Sequence, residues 1–121
     1  MNYLSNENVV VFDVDETLLF SKNINTTQIS IEDPYDSKSS RQLFPSEKHI
    51  KLLKDQKAKG RAVVVWSHGG AAWAKAAVDA LGLASYVDIV MSKPIFHCDD
   101  LHAHEILGTR IYLEKERDPH D

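Results

Sequence analysis

The 121-residue sequence predicts an α/β fold with a mostly parallel central sheet of about five strands and helices as crossovers. Two observations carry this expectation. Val9-Val10-Val11-Phe12 and Arg61-Ala62-Val63-Val64-Val65-Trp66 are apolar, β-branched runs without a polar break, the pattern of strands buried on both faces. The sequence around them carries helix caps and helix stops. The length allows one domain, and residues 1–121 read as one.

The elements follow in order. After the first strand, Ser46 caps a helix running to about Lys59, with Ile50, Leu52, Leu53 and Ala58 mostly to one side and Gly60 as its stop. The strand at 61–66 comes next. His68-Gly69-Gly70 then opens an alanine-rich helix from about Ala71 to Leu81, closed by Gly82. Val87-Asp88-Ile89-Val90 reads as a third strand, Ile95-Phe96-His97-Cys98 as a fourth, and Ile111-Tyr112-Leu113 as a fifth. A helix from about Leu101 to Leu107 fills the last gap.

One stretch breaks this rhythm. Residues 20–45 are rich in Asn, Thr, Ser and Asp and lack a helical period, although Thr27-Gln28-Ile29-Ser30-Ile31 alternates like one arm of a hairpin. An insert this long is either a flap beside an active site or a surface excursion.

Composition narrows the function. The chain is 43% hydrophobic and 26% charged, with a net charge of −4, which disfavours a generic nucleic-acid coat protein. The lone Cys98 excludes a disulfide framework and suits a reducing, cytoplasmic setting. The N-terminal residues show no secretory pattern, and the apolar runs fall far short of a membrane span, so no membrane partner is expected.

The chemistry concentrates in Asp13-Val14-Asp15-Glu16-Thr17, directly after the first buried run. Ligands of open α/β sheets bind at the carboxyl ends of the strands. Residues two apart on extended chain point the same way, so Asp13 and Asp15 can converge. Two such carboxylates either bind a cation or share a proton. Asp99-Asp100 follows another apolar run, Ser67 ends the second strand, and Lys93 lies between the third and fourth. Each also has a structural reading: the aspartates as strand-end or helix-start residues, Ser67 as a helix cap, Lys93 as a solvated lysine.

Taken together, these residues resemble the haloacid dehalogenase superfamily of phosphoaspartyl-transferring hydrolases. Asp13-Val14-Asp15-Glu16-Thr17-Leu18 is similar to its first motif, in the form seen in acid phosphatases and in phosphatases of the RNA polymerase C-terminal domain. Val64-Val65-Trp66-Ser67 resembles the second motif, Lys93 the third-motif lysine, and Asp99-Asp100 the terminal acidic motif, in the family's order. The resemblance spans Val9 to Leu113 apart from the insert.

It implies a three-layer, Rossmann-like fold without a cap domain and a Mg²⁺-dependent phosphatase. Asp13 would be the nucleophile, forming an aspartyl phosphate, and Asp15 the general acid and base. Lys93 would neutralise charge. Ser67, with His68 and the amides of Gly69 and Gly70, would face the phosphoryl group. Mg²⁺ would lie on Asp13, the carbonyl of Asp15 and Asp100, with Asp99 as a ligand or holding a bound water. The substrate would be a phosphorylated small molecule, a phosphoprotein or a nucleic-acid end.

Only residues 94–98 separate Lys93 from Asp99, whereas a parallel crossover needs about a dozen residues. Either 87–91 is not an ordinary parallel strand, or a crossover helix has been lost. The segment from His97 to His104 also invites a transition-metal reading, with Asp100 and His104 four apart on a helix. His102 and His104 point apart, however, Cys98 faces away, and ordinary surface histidines explain the segment better. A catalytically weak phosphate-binding or interaction module on the same fold is the main alternative function. A receiver domain fits less well, because Ser67 stands where its phosphoaccepting Asp would be.

Overall fold

The computed structural model describes residues 8–116 and is an α/β structure with one parallel and one antiparallel sheet. The parallel sheet has three strands in the order β1-β5-β6, with β1 Val9–Asp13, β5 Ala62–Ser67 and β6 Ile89–Ser92. In register, Asp13 lies opposite Trp66, and Ser67 lies opposite Ser92. The carboxyl ends of all three strands therefore meet at one edge. Ala62, Val63, Val64 and Val65 are all buried, as an unbroken apolar run in a central strand requires.

Helix α1, Glu47–Ala58, leads into β5. The Ser46 hydroxyl accepts from the His49 amide at 3.2 Å and caps its start, as the sequence predicts. Its buried residues are His49, Leu53 and Gln56, while Ile50 and Leu52 pack only partly against the core and Ala58 is exposed. Helix α2, Ala71–Ala80, joins β5 to β6 and buries Trp73, Ala74, Ala77 and Val78 against the sheet.

Residues 20–45 fold as part of the antiparallel sheet. Strand β3, Ile29–Asp33, pairs with β4, Asp36–Pro45, and β4 also pairs with the two-residue β2, Leu19–Phe20. Ile31 and Leu43 are buried in the main core, which holds the hairpin down on α2.

Three expectations change. The segment 95–98 is not a strand: Ile95 is 95% and Phe96 76% exposed. β6 is an ordinary parallel strand, and the Lys93-Pro94 link after it is too short to carry the chain across to another parallel position. The segment 111–113 is not a strand either, because its hydrogen bonds go elsewhere. The Leu113 amide donates to His49 Nε2 at 2.9 Å, and the Tyr112 hydroxyl donates to the Glu16 carbonyl at 2.7 Å. The helix expected over 101–107 shrinks to α3, Ala103–Ile106. Thus the parallel sheet has three strands among the described residues, not five. No helix among them is long and apolar enough to cross a membrane.

Candidate active site

The site begins at the tight turn after β1. The Val14 carbonyl accepts the amides of Thr17, Leu18 and Leu19 at 2.9–3.2 Å, and Glu16 takes a left-handed φ of 61°. Val14 and Leu18 are wholly buried, which pins the turn and leaves Asp13 and Asp15, on either side of Val14, on its open side. Two further carbonyls of the turn, those of Glu16 and Thr17, are also held. His49 is buried beneath it, with Nδ1 2.7 Å from the Thr17 carbonyl. Because Nε2 accepts from the Leu113 amide, the ring proton sits on Nδ1 and donates to Thr17. Burial, and next the nearby Glu16, push the Tyr112 phenol up, which keeps it a donor to the Glu16 carbonyl.

Each carboxylate has a cation. The Lys93 ammonium is 3.1 Å from Asp13 Oδ1, and the Thr17 hydroxyl donates to Asp13 Oδ2 at 3.2 Å. The short β6 delivers Lys93, whose amide donates to the Ser67 carbonyl at 2.9 Å. Asp15 Oδ2 accepts from the Ser67 hydroxyl at 3.1 Å, and Oδ1 accepts from the Trp73 indole at 3.2 Å. The Arg41 guanidinium lies 3.6 Å from the same Oδ1 and 4.2 Å above the Trp73 ring.

Asp13, Asp15, Ser67 and Lys93, singled out in the sequence, therefore stand together at the carboxyl edge of the parallel sheet. Ser67 is not turned to open space. It is fully buried, its single O–H goes to Asp15, and its oxygen accepts the Gly69 amide at 2.9 Å. The amides of Gly70 and Ala71 are engaged as well, by the Ser67 carbonyl and the Ser92 hydroxyl. His68 is exposed beside them. The Gly69 carbonyl accepts the Tyr35 hydroxyl from the hairpin at 2.8 Å. Gly70 has φ 99°, and a Cβ there would run into that hydroxyl.

Asp99 and Asp100 are exposed on the segment without strand structure. The Leu101 amide, then contact with the Asp100 side chain, hold the Asp99 carboxyl below its ordinary value. Among the described residues, no three His, Cys, Asp or Glu side chains come together to hold a metal ion. The Asp13, Asp15, Asp99 and Asp100 set expected for Mg²⁺ is thus not assembled. Both oxygens of Asp13, the side-chain ligand expected at the end of β1, are engaged by Lys93 and Thr17. Cys98, His102 and His104 form no such group either; the two histidine rings stack at 5.7 Å, and His104 faces Glu105.

Sequence reasoning missed Arg41, Tyr35, Trp73 and His49. Arg41 stands 26 positions from Asp15 in a polar tract, and only the β3–β4 register turns it toward α2. Trp73 carried a readable signal, an aromatic within the first turn of the helix that follows the second motif. A cavity of about 740 Å³ extends from Asp13 and Thr17 along the free edge of β1 to residues 107–112. No family model, curated protein or solved structure matches this chain.

Proposed function

We propose that this chain is a phosphoric monoester hydrolase of the haloacid dehalogenase kind, built on a Rossmann-like core. The observation that carries the reading is the Lys93–Asp13 pair at 3.1 Å, with Asp15 and Ser67 beside it. A carboxylate attacks a phosphoryl dianion only where positive charge offsets the repulsion, and Lys93 supplies it at the attacking group. Thr17, bonded to Oδ2, orients the Asp13 carboxylate.

In the proposed reaction an Asp13 oxygen bonds to phosphorus as the ester P–O bond breaks. Asp15 gives a proton to the departing oxygen. In the second half, Asp15 takes a proton from water, the water oxygen bonds to phosphorus, and the Asp13–phosphorus bond breaks to release phosphate. The Mg²⁺ implied by the resemblance is not used in any of these steps, since its donor set is not formed here. A reducing, cytoplasmic setting fits the exposed, unpaired Cys98.

One observation favours a second reading, a catalytically weak binding or interaction module on the same fold: the Ser67 hydroxyl and Gly69 amide, expected as phosphoryl donors, already bond Asp15 and Ser67. Hydrolysis of an aryl phosphate by the wild type and by Asp13→Asn separates the two. The phosphatase reading expects a loss of kcat of about a thousandfold or more. Undiminished turnover in the variant overturns the nucleophile assignment, and binding without turnover in the wild type selects the module.

A further inference from the structure

We infer that Arg41, carried on the hairpin, selects substrates whose leaving group bears a second negative charge. The inference rests on the phosphatase reading above and adds the substrate class.

The geometry separates two cations by task. Lys93 sits on Asp13, where the transferred phosphoryl group would be received. Arg41 sits on Asp15, the group that would face the departing oxygen. Whatever leaves past Asp15 therefore passes Arg41. Asp15 does not depend on Arg41 for its hydrogen bonds, since Ser67 and Trp73 already donate to its two oxygens. At 3.6 Å the Arg41–Asp15 approach is a charge contact rather than a short hydrogen bond, so it can yield to a better-placed anion. The Arg41 side chain is 44% exposed, at the mouth of the site.

The guanidinium is also held ready. Its central carbon lies 4.2 Å from the Trp73 ring centroid, and the indole is itself held by Asp15, so the position of the guanidinium is set before a ligand arrives. Arg41 is the register partner of buried Ile31, so both side chains leave the hairpin face that packs toward α2. The Tyr35 hydroxyl anchors the hairpin tip to the Gly69 carbonyl. A planar cation on a seated hairpin suits a carboxylate or second phosphate on the leaving group, taken by two parallel N–H bonds. A neutral leaving group leaves Arg41 where it is.

Phenyl phosphate and 4-carboxyphenyl phosphate test this, because their leaving groups differ by one charge. Phosphate release is measured for the wild type, Arg41→Gln and Arg41→Lys. Ligand affinity is measured on Asp13→Asn, with and without Arg41→Gln, through tryptophan fluorescence. The wild type is expected to favour the carboxylated ester about tenfold in kcat/KM, mainly through KM. Arg41→Gln should bring that ratio near one, and Arg41→Lys should keep part of it. A wild-type ratio near one, or an equal loss on both esters in Arg41→Gln, overturns the role of Arg41 and leaves the phosphatase reading in place. Arg41-dependent preference in binding with no phosphate released from either ester overturns the phosphatase reading and leaves the anion recognition standing.

Discussion

The chain up to Lys93 and the chain after it treat apolar side chains in opposite ways. Among the described residues, the buried hydrophobic core runs from Phe12 to Leu83, whereas seven of the ten exposed large hydrophobics lie between Ile95 and Leu113. The difference is one of available partners. β5 has a strand on each side, so its apolar residues are covered. Residues 95–98 follow β6 after a two-residue link, too short for a parallel crossover, and they leave the outer edge of β6 unpaired among the described residues. Meanwhile the outer edge of β1 pairs with no strand among the described residues, and Val9 and Val11 are exposed beside the 740 Å³ cavity. Apolar character alone does not make a strand; it also needs a neighbour with which it pairs.

Amide hydrogen exchange gives the widest expected contrast. Amides of 95–98 should exchange about a thousandfold or more faster than those of β5, which is bonded on both sides. Equal protection would erase the distinction. The same measurement with Mg²⁺ sharpens it, because slowed exchange over 95–102 would mean that Asp99 and Asp100 had joined an ordered donor set.

Side-chain truncation should follow the same line. Leu53→Ala empties a wholly buried position and should cost about 2–4 kcal/mol in urea unfolding. Ile95→Ala, at a position 95% exposed, should stay within about 0.5 kcal/mol. A cost at Ile95 near that at Leu53 would place the later segment in the core.

The seat of the hairpin is a third place to press. Gly70→Ala meets both a left-handed φ and the Tyr35 hydroxyl, and a loss of about 1–3 kcal/mol is expected. Adding Tyr35→Phe removes the colliding oxygen and should return part of the loss, although Tyr35→Phe alone forfeits the bond to Gly69. No recovery would mean that the backbone angle accounts for the whole effect.

The smallest effect concerns the link between α1 and the start of β6. Burial raises the Asp88 carboxyl, but the Lys57 ammonium at 2.8 Å and the Val63 amide outweigh it and hold the group below its ordinary value. A lowered carboxylate stabilises the fold above its unfolded value, and that contribution disappears as pH falls through the lower folded one. Asp88→Asn should therefore lose about 1 kcal/mol at neutral pH, and its gap to the wild type should close below about pH 4. A gap that is constant with pH would assign the effect to packing.

Several features were legible before folding because they depend on near neighbours. The β1 and β5 strands, the Ser46 cap and the α2 limits all followed from local pattern. Burial on both faces, expected of both strands, holds for β5 but not for β1, whose Val9 and Val11 are exposed. The placement of Asp13 and Asp15 about Val14 followed from period-two alternation. Lys93 was legible by its order in the chain, although the strand expected after it at 95–98 is one that the structure does not contain. The hairpin was half legible: Ile29 and Ile31 alternate, whereas in the longer β4 Asp36 to Arg41 are all exposed and show no such pattern.

By itself, then, the sequence determined which segments could be buried strands, where α1 and α2 start and stop, and that two acids follow the first strand. Only the tertiary structure decided that Arg41 and Trp73 meet at Asp15, that the Ser67 hydroxyl turns to Asp15, and that 95–98 and 111–113 are not strands. The physical reason is range. Periodicity and capping are settled within a few residues, whereas cross-strand register, free edges and the reach of a two-residue connection are properties of the assembled sheet.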